Sequence, residues 1–205
     1  MGFGILEIVI WKRAQKELSR DKYIGPLIKK YGDCTIAPRH YSDYFEHLCS
    51  SIVNQQLSGK AADAIFGRFA KTVGKITPEN VLRTDDQILR NAGLSWGKVK
   101  YIKDLAKRTH EGSLETKNLE NLSDEEVIKE LTAVKGIGVW TAHMFLMFTL
   151  ARPDIFPSGD LGVRKGVEKI TNMQMTNSQL EQFALRWKPY RTVASWYIWQ
   201  NLDNR

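Results

Sequence analysis

Cysteine is nearly absent: Cys34 and Cys49 are the two thiols among 205 residues. They are too few for the disulfide framework of a small secreted fold, or for a four-thiolate zinc or iron-sulfur centre. A reducing compartment is expected, and no metal is expected on protein side chains. Long apolar runs are also missing. Nothing approaches the roughly 20 consecutive apolar residues that span a bilayer. The apolar start, Met1 to Ile10, carries Glu7, has no basic leading segment and has no small-residue cleavage signal. An intracellular, soluble protein without a membrane partner is expected. Strand signals are weak as well, since only Ile5 to Ile10 has β-branched density and no longer window alternates. There is no repeat and no low-complexity tract.

Apolar residues make up 42% of the chain, aromatics 10% and charged residues 26%. That supplies a core and argues against global disorder. The length fits one domain or a tight pair of lobes. Lys plus Arg number 30 against 23 Asp plus Glu, a net charge of +7. Such a balance attracts polyanions, and charge alone does not choose between nucleic acid and an anionic membrane.

Helix signals dominate. Trp11 to Lys30 is charged and periodic, with a break at Gly25 and Pro26. Tyr44 to Ile52 and Ala61 to Val73 read as helices on either side of a polar stretch, Asn54 to Lys60. Thr77, Pro78 and Glu79 supply an N-cap, a proline at the first helical position and an acid in the first turn. Thr84 with Gln87, Ser123 with Glu126 and Thr176 with Gln179 are spaced as capping boxes. The expected fold class is all-α.

The segment Leu131 to Leu150 reads as helix, hairpin, helix. One helix ends near Ala133, Gly136 and Gly138 bracket Ile137, and an apolar helix begins at about Val139. Paired glycines let backbone amides at a helix N-terminus approach an anion, and a DNA phosphate fits. Lys135 adds a cation there. An ordinary glycine-capped turn between helices is the competing reading. At 100° per residue Trp140, His143, Met144 and Met147 share a face. Core packing is the expectation for Met147, and a satisfied core histidine is expected at His143.

Pro157 and Gly159 then break regular structure, and Asp160 stands just before an amphipathic stretch, Leu161 to Ile170. It is expected to cap that helix, and a helix N-terminus favours the negative charge that a catalytic anion needs.

These segments, VKGIGVWTAHMF followed by FPSGDLGVRKG, closely resemble the helix-hairpin-helix DNA glycosylases, whose hairpin is followed by a Gly/Pro-rich loop ending in an essential aspartate. SIVNQQLSGKAA at 51 to 62 and RWKPYRTVASWYIW at 186 to 199 look like the 3-methyladenine DNA glycosylase II branch. The resemblance runs from about Tyr44 to Trp199. It implies an all-helical unit of two lobes, 40–153 with the hairpin at 131–150, and 1–39 plus 154–205, flanking an active-site cleft. Asp160 is implied as the catalytic residue. Trp140, Trp199, Met144 and His143 are implied as base-pocket residues, and Gln56 or Leu57 as the wedge that fills the gap left by a flipped nucleotide. Lys135, Gly136, Gly138 and Thr141 are implied on the DNA backbone.

Bifunctional relatives carry a lysine nucleophile two residues after the second hairpin glycine, and this chain has Trp140 there, so hydrolysis without strand cleavage is expected. Two cysteines also disfavour the iron-sulfur branches. The resemblance therefore implies hydrolytic excision of alkylated purines, such as 3-methyladenine and 7-methylguanine, from double-stranded DNA. Two alternatives remain open at this point: a catalytically inactive damaged-DNA-binding protein, and a glycosylase for deaminated or ethenoadenine-type purines. Trp196 is expected in the core more than in the pocket. No organic cofactor is implied, and the resemblance allows a monovalent cation on the hairpin carbonyls. The longer bacterial relatives have an extra N-terminal β-rich domain, whereas only about 40 residues precede the matching region here, so a compact form is expected. A monomer is the default, in the cytoplasm with the nucleoid or in a nucleus.

Overall fold

Helix starts fall where the short polar side chains put them. In the computed structural model, which describes residues 3–203 with the side chains of 3–9, 41 and 203 outside the described set, every described element is helical. In chain order these are α1 Phe3–Leu18, α2 Ile24–Tyr31, α3 Tyr44–Asn54, α4 Gly59–Val73, α5 Pro78–Arg83, α6 Asp86–Asn91 and α7 Trp96–His110. Then follow α8 Asp124–Thr132, α9 Val139–Phe148, α10 Leu161–Thr171, α11 Asn177–Ala184 and α12 Arg191–Asp203, with short 3-10 turns between some of them. Thr77 caps α5 through the Asn80 amide. Ser123 with Glu126 and Thr176 with Gln179 form complete capping boxes on α8 and α11.

Two expectations change. Thr84 and Gln87 do not form a capping box. The Thr84 hydroxyl donates to the Asn80 carbonyl of α5 at 2.8 Å, and Asp85 caps α6 instead, accepting from the Gln87 amide at 2.8 Å. A carboxylate one position nearer the helix takes the amide that the threonine was expected to hold. The only strand candidate, Ile5 to Ile10, lies inside α1. Once a turn is nucleated each further residue adds a hydrogen bond, so the longer charged pattern downstream decides the conformation of its start.

The chain divides into two compact units, Arg39–Phe145 and Met1–Pro38 with Leu146–Arg205, and the second boundary falls within α9. The internal unit is built around α7, which packs against α3, α5 and α6. Leu48, Ile52, Phe69, Leu89, Ile102, Leu105 and Leu131 are fully buried there. Each such side chain stabilises the unit by roughly 1.5–3 kcal/mol through burial.

The terminal unit gathers Ile24, Val163, Trp187, Tyr197 and Ile198 in its core, with Trp196 partly buried against it as expected. The Trp11 indole donates to the Ile36 carbonyl at 2.7 Å and the Tyr197 hydroxyl to the Gly32 carbonyl at 2.6 Å. Helix α10 lies against α12 through Gly166, where a Cβ would collide with Ile198. A side chain there would force the helices apart.

Candidate active site

In the internal unit one side of α7 holds the hairpin and the polar turn together. Asp104 accepts the Lys135 amide at 2.9 Å and pairs with Arg108 at 3.0 Å, while the Lys135 ammonium stays 72% exposed. Burial by itself would raise the Asp104 carboxyl. The hydrogen bonds from Lys135 and Arg108, with their charges, outweigh that and hold it below the usual carboxylate range. One helical turn earlier, the Tyr101 ring lies where a Cβ on Gly136 would have to go. Gly136 also has φ +82, so both conformation and space require glycine there. Gly138 differs, because nothing lies within 4 Å of a Cβ built on it.

Still nearer the start of α7, the Lys98 ammonium donates to the Val53 carbonyl at 2.8 Å and to the Gln55 carbonyl at 2.7 Å. These carbonyls belong to the penultimate residue of α3 and to the first residue after it. Burial keeps this ammonium below the ordinary lysine range. The Gln55 amide donates in turn to the Gly136 carbonyl at 2.8 Å, which ties the turn to the hairpin. Gln56 sits at φ +58, a left-handed conformation uncommon outside glycine, and both Gln56 and Leu57 are exposed.

The end of α3, the turn, the hairpin and the start of α9 line an open cleft of about 610 Å³. Among the expected residues Gln56, Leu57, Gly136, Trp140, Thr141 and Met144 line it, joined by Ser51, Asn54 and Gln55. Trp140 is 49% exposed. Thr141, expected on the DNA backbone, is only 5% exposed and lines the cleft. His143 is half-buried and does not line it, while Met147 is fully buried, as the core reading expects. Because α9 is apolar on every side, residues that share a stripe by period meet different surroundings.

In the terminal unit Asp160 caps α10, as expected. Its Oδ1 accepts the Val163 amide at 2.7 Å and the Trp199 indole N–H at 2.9 Å. Gly162 makes the second bond feasible, since a Cβ there would lie 2.9 Å from Trp199 Nε1 and 3.0 Å from Asp160 Oδ1. The Trp199 ring also packs at a tilt against Phe148, with centroids 5.8 Å apart. The loop leading to Asp160 is anchored on the start of α12. Arg191 grips the Asp154 carboxylate through Nε at 2.8 Å and Nη2 at 2.9 Å, and Thr192 accepts the Ile155 amide at 2.9 Å. Thus α12 both anchors the loop and orients the carboxylate at its end.

Sequence reasoning missed Lys98, Tyr101, Asp104, Gly162 and the Arg191–Asp154 pair. Two usable signals existed: the three-residue spacing of Lys98, Tyr101 and Asp104, and the four-residue spacing of Gly162 and Gly166, each of which places residues on one side of a helix. Among the described residues no group of His, Cys, Asp or Glu is arranged to hold a metal. Any cation at the hairpin would rest on backbone carbonyls, of which Val134 O already accepts the Ile137 amide at 3.1 Å and Gly136 O accepts Gln55.

A family model described as HhH-GPD superfamily base excision DNA repair protein matches residues 49–191. DNA-3-methyladenine glycosylase 1 of Schizosaccharomyces pombe is 38% identical over 165 residues, which cover 76% of this chain and 71% of that protein. The alkylbase DNA glycosidase-like protein mag2 of the same organism is 31% identical over 198 residues, 93% of each chain. A solved structure of S. pombe 3-methyladenine DNA glycosylase in complex with abasic DNA superposes with a TM-score of 0.81 at 34% identity, covering 92% of this chain and 95% of that one.

Proposed function

This chain belongs to the HhH-GPD superfamily of base excision DNA repair proteins, and on that premise we propose that it is a DNA glycosylase hydrolysing the N-glycosidic bond of alkylated purines. The observation that carries the reading is the Asp160 carboxylate, held by the Val163 amide and the Trp199 indole at the start of α10. Water attacks C1′ of the deoxyribose as the bond from C1′ to the base nitrogen breaks. A purine methylated at a ring nitrogen is already cationic, so it departs with the bonding electrons as a neutral base and needs no protonation. Asp160 stabilises the positive charge growing on the sugar and takes or directs the proton of the water. No amine stands at position 140, so the base is released and the sugar stays in an uncut strand as an intact abasic site.

Trp140 and Trp199 supply electron-rich faces, each stacking contact with a cationic base contributing roughly 0.5–2 kcal/mol. Met144 gives the wall an adaptable surface, and His143 stands one residue before it on α9. The exposed turn at Gln56 and Leu57 fills the space vacated by the flipped nucleotide, whose unstacking costs a few kcal/mol. Exposed Lys135, with the amide that follows Gly138 at the start of α9, takes a phosphate of the duplex, giving salt-sensitive and largely sequence-independent binding. A monovalent cation on the hairpin carbonyls would add positive charge beside that phosphate, and no step of the hydrolysis passes through it. The protein acts as a monomer on genomic DNA, in a nucleoid or a nucleus.

Free base released from methylated duplex DNA by wild type and by Asp160→Asn tests this. The variant should lose at least about a hundredfold in rate, as expected for removing a charge that acts in the transition state. Equal release by the two proteins, or a covalent protein–DNA adduct trapped by borohydride, overturns the mechanism.

A further inference from the structure

A turn that enters a base stack must already have its shape when it arrives, or its ordering entropy adds to the work of flipping. The turn after α3 has no such rigidity of its own. It leaves the helix at Asn54, puts Gln56 at φ +58, and carries two exposed side chains. A non-glycine residue in that conformation persists only where its surroundings impose it. Two side-chain braces do so. The Lys98 ammonium bonds the carbonyls of Val53 and Gln55 on either side of Asn54, and the Gln55 amide bonds the Gly136 carbonyl of the hairpin. Lys98 is itself fixed, because its backbone amide donates to the Ser95 hydroxyl that caps α7. A cation at the end of α3 also meets the negative end of that helix's dipole.

We propose that Lys98 is a positioning residue for base flipping, holding the turn of Gln56 and Leu57 in its inserted shape and, through Gln55, in register with the phosphate-binding hairpin. It touches neither the base nor the sugar. This proposal rests on the glycosylase reading above. Its distinguishing consequence is that the brace matters where a nucleotide must be extracted from a paired stack and little where the lesion already lies in an unpaired bubble.

The test uses one 7-methylguanine lesion in two oligonucleotide contexts, fully paired and centred in a bubble, under single-turnover conditions. Lys98→Met keeps the aliphatic stem and loses the donors. It removes two charge-assisted hydrogen bonds and should lower the ratio of paired to bubble rate constants by at least about tenfold. Gln55→Met should move the ratio the same way by a smaller factor, and Lys98→Arg should restore most of it. A 2-aminopurine placed beside the lesion reports extrusion independently of chemistry, and its signal should fall in parallel for Lys98→Met. Equal losses in both contexts, or an unchanged ratio with an unchanged 2-aminopurine signal, overturn the proposal. A wild type that releases no base in either context defeats the glycosylase reading instead, and the 2-aminopurine signal then decides the role of Lys98 by itself.

Discussion

Replacing Gly162 by alanine should separate the stability of α10 from the orientation of Asp160. The added Cβ would lie 2.9 Å from Trp199 Nε1 and 3.0 Å from both Trp199 Cδ1 and Asp160 Oδ1. Ordinary contact between such atoms needs at least about 3.4 Å, so the indole must retreat by about 0.5 Å. The Trp199 to Asp160 bond, now 2.9 Å, then stretches to the edge of useful hydrogen bonding. A hydrogen bond to a charged group contributes about 1.5–3 kcal/mol. Alanine returns up to about 1 kcal/mol in helix propensity, so the melting temperature should move little. If the indole orients the carboxylate in the transition state, losing it should lower the single-turnover rate of base release by about 10- to 150-fold. Rate constants on methylated duplex, read beside thermal melts of the same preparations, check this. Combining Gly162→Ala with Trp199→Phe should add little to the loss from Trp199→Phe alone, since both remove one bond. A variant that melts like wild type and also releases base within twofold of it refutes the reasoning.

Gly166→Ala should act on stability instead. Its Cβ meets Ile198 in the middle of the α10–α12 packing, and overpacking of this kind costs about 1–3 kcal/mol. Melting should fall by about 2–4 °C for each kcal/mol in a chain of this size, and a rise in melting temperature would contradict the packing. Asp104→Ala should loosen the hairpin, visible as faster amide exchange at Lys135, whose N–H loses its acceptor. Acid should reproduce that effect. Because the folded carboxyl titrates below its unfolded value, its stabilisation is complete above the unfolded pKa and is lost as pH falls through the folded one. A Lys135 protection factor, taken relative to the intrinsic exchange rate at each pH, that does not fall on acidification through that range would rule out Asp104 as the anchor.

Much of the local architecture was legible because its causes are contiguous. The capping boxes at Ser123 and Thr176, the proline start at Pro78, the break between α8 and α9 at Gly136, and the N-cap at Asp160 each depend on residues within four positions of one another. Where two local signals competed, the closer or stronger one won. Asp85 displaced Thr84, and the long periodic helix absorbed Ile5 to Ile10. On α9 the core expectation for Met147 held although it shares a stripe with exposed Trp140: a helix apolar all round has no preferred face, so period alone does not separate the two.

By itself the sequence determined the helical class, the capping carboxylate at the start of α10 and the glycine hairpin, which follow from short-range spacing and residue chemistry, while the family was legible through resemblance of its motifs. Only the tertiary structure decided what holds them. The Lys98 ammonium reaches carbonyls more than forty positions away, the Tyr101 ring claims the space beside Gly136, and the Trp199 indole meets Asp160 across the gap left at Gly162. Those partners are set by the depth and rotation at which one helix packs on another, and small changes in either move a side chain by a whole hydrogen-bond length. No periodicity within a single helix encodes that registration.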